Sequence, residues 1–136
     1  MELSFSIQGG DFTRAGHASS EVKNKLKQLG IDAKCIKSIV IALYEAEVNV
    51  VAHAWSGDIR VEIDKDKIQT KITDKGPGIP DIELAMQEGY STASKEVREM
   101  GFGAGMGLSN MKKNTDVLNI ESVVGEGTTV TMINYF

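Results

Sequence analysis

Residues 33–54 read Ala-Lys-Cys-Ile-Lys-Ser-Ile-Val-Ile-Ala-Leu-Tyr-Glu-Ala-Glu-Val-Asn-Val-Val-Ala-His-Ala. Ile36, Ile39, Val40, Ile41, Leu43, Val48, Val50 and Val51 leave almost no side of a 3.6-residue repeat polar, which predicts a long and largely buried helix. Asp32 stands where its N-cap is wanted. Against that apolar background Glu45, Asn49 and His53 fall at i, i+4 and i+8 and form one polar stripe. Burying a carboxylate and an amide is costly unless they find partners, so something polar is expected to face the stripe. Two readings stay open on the helix alone. Glu45 and Asn49 bond to neighbouring backbone, or they form a hard-cation site in which an amide oxygen takes a cation such as magnesium while the carboxylate one turn away acts on a hydroxyl. His53 reads as a helix-end or packing histidine.

Outward from this helix, Leu3, Phe5 and Ile7 alternate with polar residues as in a half-buried strand, which Gly9-Gly10 ends. Asp11 is placed to cap a helix over 11–29, with Gly30 in the left-handed position after it. Ile59-Val61-Ile63 and Ile68–Ile72 flank the polar run Asp64-Lys65-Asp66-Lys67, which predicts a hairpin. A short helix is expected over 82–87 and another over 107–114. Strands over 117–123 and 128–135 are joined by Gly125-Glu126-Gly127. Paired strands favour hairpins, and helices need a sheet face to cover. The expected architecture is a two-layer α+β sandwich, with a mixed, mostly antiparallel sheet and helices on one face.

The 136 residues suit one domain spanning 1–136, with 41% apolar and 25% charged residues and no run long enough to cross a bilayer. Met1-Glu2-Leu3-Ser4-Phe5-Ser6 has neither a basic leader nor an apolar signal core, so a cytoplasmic location and no membrane association are expected. A net charge of -4 gives no electrostatic reason to bind nucleic acid directly. Lys23, Lys25 and Lys27 read as a solvated helix face. Cys35, the single cysteine, has no disulfide partner, and with His17 and His53 it makes no readable metal cluster. It is expected to be a small buried residue.

Two glycine-rich runs remain. In Ile72-Thr73-Asp74-Lys75-Gly76-Pro77-Gly78-Ile79-Pro80 an acid ends a strand and two glycines let the backbone pass close to a flat ligand, although in isolation such a run is more often an ordinary Asx turn. In Gly101-Phe102-Gly103-Ala104-Gly105-Met106-Gly107-Leu108 glycine recurs at alternate positions directly before a helix, where amides can turn toward an anion; the plain alternative is a flexible loop. No glycine precedes Lys-Ser or Lys-Thr as a Walker loop requires, and neither run has the Rossmann spacing.

Taken in order, these segments resemble the N, G1 and G2 boxes of the GHKL (Bergerat-fold) ATPases, at 45–54, 74–79 and 103–108, and the resemblance covers essentially the whole chain. It implies ATP and magnesium as cofactors, with Asn49 giving its side-chain oxygen to the metal and Asp74 accepting from the adenine amino group. It further implies that Gly76, Gly78 and Ile79 border the base, assisted by Thr128 from the Gly-x-Gly-Thr run. Gly103, Ala104, Gly105, Met106, Gly107 and Leu108 would lie along the phosphates. Glu45 would be the general base, and Arg98 and Lys95 of the intervening lid are candidates to reach the γ-phosphate. Metal, base and amides are parts enough for phosphoryl transfer.

Within that class the chain is similar to the anti-sigma-factor kinases at Asn49-x-x-x-His53-Ala54 and to the switch kinases of stress-signalling complexes at Gly89-Tyr90-Ser91-Thr92. Neither a phosphoacceptor-histidine helix pair nor a transducer domain accompanies the boxes, which argues against a complete histidine kinase or gyrase. The resemblance implies a serine/threonine protein kinase acting on a small antagonist (STAS-like) protein, with a sigma factor or signalling complex as a further partner and a homodimer as its assembly. The alternatives are a non-catalytic ATP-binding module that sequesters its partner and a stand-alone histidine-kinase catalytic piece.

Overall fold

The computed structural model describes residues 1–87 and 107–136. Along the chain run β1 (Glu2–Gln8), a 3-10 turn (Phe12–Arg14), α1 (His17–Gln28), α2 (Ala33–His53), β2 (Ser56–Ile63), β3 (Lys67–Lys75), α3 (Ile82–Ala85), α4 (Gly107–Lys113), β4 (Val117–Val123) and β5 (Gly127–Tyr135). The strands form one five-stranded sheet in the order β1-β2-β3-β5-β4. Every pairing in it is antiparallel, so the expected mixed character is absent among the described residues.

Register follows from alternation. Phe5 lies opposite Ile59, Ile59 opposite Ile72, Ile72 opposite Val130 and Val130 opposite Ile120, one apolar row across all five strands. A slip of one residue would turn each of these toward water. On this face the strands meet Val22 and Leu26 of α1, Ile39, Leu43, Ala46 and Val50 of α2, and Leu108 and Met111 of α4, in a single buried cluster. Fully burying a side chain such as Leu43 or Met111 contributes about 1.5–3 kcal/mol. The opposite face of β2 carries Asp58, Arg60 and Glu62, all exposed.

The hairpin between β2 and β3 forms as expected. Asp64 Oδ1 accepts the backbone N–H groups of Asp66 (2.8 Å) and Lys67 (2.9 Å), which closes the turn without glycine. Asp32 caps α2 by accepting from the Lys34 N–H at 3.1 Å. Helix α2 is less enclosed than its composition suggests, because Val40 and Ile41 are only half-buried and Tyr44 is exposed.

The helix expected over 11–29 is not continuous. Gly16 has φ 94°, a left-handed conformation that breaks helical continuity and separates the Phe12–Arg14 turn from α1. The Asp11 carboxylate takes the Thr13 hydroxyl (2.8 Å) and makes no cap bond to backbone. The cap of α1 comes instead from α2. Glu47, 2% exposed, accepts the Ala18 N–H at Oε2 (3.1 Å) and the Ser19 N–H at Oε1 (3.3 Å). Cys35 is half-buried rather than buried, and its thiol donates to the Tyr135 carbonyl at 3.8 Å. Burial pushes that thiol's pKa up, and the charges of Asp116 and Asp32 add to the effect.

Candidate functional site

The C-terminal part of α2 is the strip on which the N and G1 boxes meet. Trp55, two residues beyond its end, donates its backbone N–H to the Lys75 carbonyl at 2.8 Å and so fastens the end of α2 to the end of β3. A methyl group added at Gly76 would stand 3.0 Å from Ala54 Cα and 3.5 Å from Asp74 Oδ1. Glycine therefore lets the chain after β3 lie directly on the helix end, beside the Asp74 carboxylate. Five residues back along α2, about 7–8 Å at 1.5 Å per residue, lies Asn49. A methyl group at Gly107 would stand 3.0 Å from Asn49 Oδ1, so the first residue of α4 leans on that amide.

The polar partner expected for the stripe is on α4. Asn110 donates its side-chain N–H to Glu45 Oε1 at 3.2 Å. Since Glu45 and Asn49 lie one turn apart on α2, as do Gly107 and Asn110 on α4, the close approach of Gly107 to Asn49 and the Asn110–Glu45 bond fall in step. Both Glu45 and Asn49 are half-buried. His53 ends α2, and burial lowers its pKa.

At the other end, Asp74 is half-buried and its Oδ1 accepts the Thr128 N–H at 3.0 Å. Burial raises the Asp74 pKa, and the Thr128 amide draws it part of the way back. The loop after Asp74 is held against the β4–β5 turn by backbone bonds from Gly76 N–H to the Glu126 carbonyl (3.1 Å) and from Gly125 N–H to the Pro77 carbonyl (2.8 Å). Ser122 joins the same network: Ile79 N–H donates to its Oγ at 2.7 Å, Thr128 Oγ1 lies 2.9 Å away, and the Gly127 carbonyl accepts from it at 3.1 Å. Gly78 makes this docking possible. Its φ is 76°, and a side chain there would meet the Val123 carbonyl oxygen at 2.5 Å.

Of the residues singled out in the sequence, Asp74, Gly76, Gly78, Ile79 and Thr128 gather at the end of β3, while Glu45, Asn49, Gly107 and Leu108 gather where α2 meets α4. Leu108 is buried and packs in the core. Lys95, Arg98, Gly103, Ala104, Gly105 and Met106 lie outside the described residues, as does the run Gly89-Tyr90-Ser91-Thr92. Three partners went unread: Glu47, Ser122 and Asn110. The turn at 125–127 puts Ser122 opposite Thr128 by hairpin register, so that pair was recoverable from sequence. Among the described residues no cluster of three or more His, Cys, Asp or Glu could hold a metal. An open hollow of about 360 Å³ is lined by Thr13, Arg14, Ala15, Gly16, His17 and Ser20, and shares no residue with the boxes.

A helix carrying Glu and Asn one turn apart, an acid at a strand end and a glycine-bordered helix against the amide are the arrangement expected of a histidine-kinase-like ATPase. The family model described as histidine kinase-like ATPase domain matches residues 11–134. The chain belongs to that family, and ATP use comes with it. It is 35% identical over 117 residues to the serine/threonine-protein kinase RsbT of Bacillus subtilis (strain 168), covering 83% of this chain and 82% of that protein. It is 38% identical over 142 residues to the anti-sigma F factor of Caldanaerobacter subterraneus subsp. tengcongensis, covering 99% of this chain and 92% of the relative. Among solved structures, a Mycobacterium tuberculosis protein containing RsbU and RsbW domains superposes with a TM-score of 0.67 at 16% identity, over 98% of this chain and 32% of that one. The mycobacterial sensor histidine kinase MprB gives 0.57 at 17% identity, over 99% and 97%. At these identities the two structures speak for the fold alone.

Among the described residues no helix is long and apolar enough to cross a membrane.

Proposed function

We propose that the chain is an ATP-dependent serine/threonine protein kinase of the anti-sigma-factor or switch-kinase type. It phosphorylates a small antagonist protein and thereby controls a sigma factor or a stress-signalling complex, working in the cytoplasm. The observation that carries the reading is the single strip of α2 that lies against Gly107 at Asn49 and whose end lies against Gly76, beside the Asp74 carboxylate. The names of the two curated relatives agree with a kinase that acts in sigma-factor control.

In this reading the adenine amino group donates to Asp74 Oδ2, since Oδ1 is already engaged by the Thr128 amide. A purine with a carbonyl at that position sets oxygen against oxygen and is rejected. Gly76, Gly78 and Ile79 border the base. The reading gives the phosphates to Gly107 and to Gly103, Ala104, Gly105 and Met106 of the run outside the described residues, with Leu108 anchoring the helix behind Gly107, and it assigns Arg98 to the γ-phosphate. Magnesium suits the residues present: a hard amide oxygen faces the glycine end of α4, and this ion is ordinarily completed by phosphate oxygens and water. Asn49 would hold it, and its chemistry there is to neutralise charge on the phosphates. Glu45 accepts the proton of the attacking serine or threonine hydroxyl.

The test begins with a pull-down in ATP and magnesium and mapping of phosphorylated residues on the retained protein. Glu45→Ala is expected to keep ATP binding and lose transfer, whereas Asn49→Ala loses magnesium-dependent ATP binding. Transfer by Glu45→Ala at the wild-type rate refutes the base assignment. A stoichiometric complex with no phosphate on the partner indicates a sequestering module instead.

A further inference from the structure

The Asn110–Glu45 contact is a side-chain hydrogen bond to the proposed base, and neither the box motifs nor the family match assigns Asn110 a role. An ionised carboxylate only accepts and the amide nitrogen only donates, so the bond fixes which way the Asn110 amide faces. Among the described residues the bond engages Oε1 and not Oε2. A carboxylate on a helix surface otherwise samples several rotamers, and ordering it at each turnover carries an entropic cost. Asn110 sits on α4 three residues after Gly107, the residue that borders Asn49. The helix that leans on the metal-holding amide thus also grips the base.

We infer that Asn110 is a positioning residue, which holds one oxygen of Glu45 so that the other is aimed at the substrate hydroxyl, and ties the orientation of the base to the seating of α4. The inference rests on Glu45 being the base, and the experiment separates the two claims. No bond is made or broken at Asn110 itself; the proton of the hydroxyl passes to Glu45 Oε2 as the γ-phosphate is transferred.

The experiment measures single-turnover transfer from γ-labelled ATP to the protein captured in the pull-down, alongside ATP-magnesium affinity and thermal melting of each variant. Asn110→Leu is expected to slow transfer about ten- to hundredfold, the worth of a hydrogen bond to a charged group, with ATP affinity within about twofold of wild type. Asn110→Asp, of the same size, is expected to lose at least as much, because it sets a carboxylate against a carboxylate. The deciding comparison is the double variant: Asn110→Leu added to Glu45→Gln is expected to cause no further loss, as only a residue acting through Glu45 would behave. If Asn110→Leu and Asn110→Asp both transfer at the wild-type rate, or if Asn110→Leu slows Glu45→Gln as much as it slows wild type, the positioning role is overturned. If Glu45→Gln itself transfers normally, the base reading fails first, whatever Asn110 does.

Discussion

Replacing Glu47 with alanine removes both acceptors from the start of α1. Ala18 and Ser19, 2% and 3% exposed, then hold backbone N–H groups that water reaches poorly. Losing an N-cap acceptor costs about 1 kcal/mol, and a hydrogen bond to a charged group is worth about 1.5–3 kcal/mol net. Gly16, the residue preceding the helix, supplies no side-chain substitute. The void left by the buried side chain adds to the loss, so the sum is about 3 kcal/mol. For a domain of this size that lowers Tm by roughly 10 °C. Glu47→Gln keeps one acceptor but turns an NH2 group toward an N–H, and is expected to lose about 2 kcal/mol. Urea unfolding followed by circular dichroism measures both, and hydrogen exchange at Ala18 and Ser19 localises the effect. A loss under about 0.5 kcal/mol for Glu47→Ala, the range of ordinary surface changes, refutes the view that α2 caps α1.

Three further outcomes follow from the site. Burial holds the Asp74 pKa above its unfolded value, so this group's stabilising share is complete below about pH 4 and is lost as pH rises through the folded pKa. Asp74→Asn is therefore expected to match or exceed wild-type stability at pH 7, with the gap closing toward pH 4 in urea titrations, while its ATP affinity falls about tenfold or more; equal affinity would remove Asp74 from the base pocket. His53 has its pKa lowered by burial, so its contribution is present above about pH 6.5 and is lost as pH falls below that. His53→Gln should flatten the decline in stability between pH 7 and pH 5, and an unchanged slope counts against it. Gly78→Ala forces a side chain into a left-handed residue against the Val123 carbonyl, and a loss of about 2–3 kcal/mol with weakened ATP binding is expected; wild-type stability would show that the loop is not pinned there.

What the sequence made legible was whatever repeats or punctuates locally. Alternation located the strands, Asp32 marked the start of α2, and Gly125-Glu126-Gly127 marked the last turn. The Glu45–Asn49 stripe and Asp74 stood out because polar residues in apolar or glycine-rich surroundings call for an explanation. Asp11 misled because an acid before a helical pattern looks like a cap, whereas Gly16 interrupts that pattern with a left-handed residue. Glu47 was missed for a different reason: its apolar surroundings on α2 signalled a buried acid, but its partners lie 28 and 29 residues earlier, where no local pattern points to them. Asn110 is of the same kind, since its role depends on how α4 is seated against α2. Local propensity is carried by neighbours in sequence, but pairings of this sort exist only after the helices pack.

The sheet order sets β5, the last described strand to be synthesised, between β3 and β4. Until residue 135 has left the ribosome, β3 offers a bare row of N–H and C=O groups to any passing chain, and the nascent polypeptide lacks the strand that bears Thr128. An interior strand that follows every other described strand in chain order leaves the sheet unfinished until residues 127–135 are available. Proteolytic loss of residues 127–135 would remove an interior strand of the sheet rather than trim an edge.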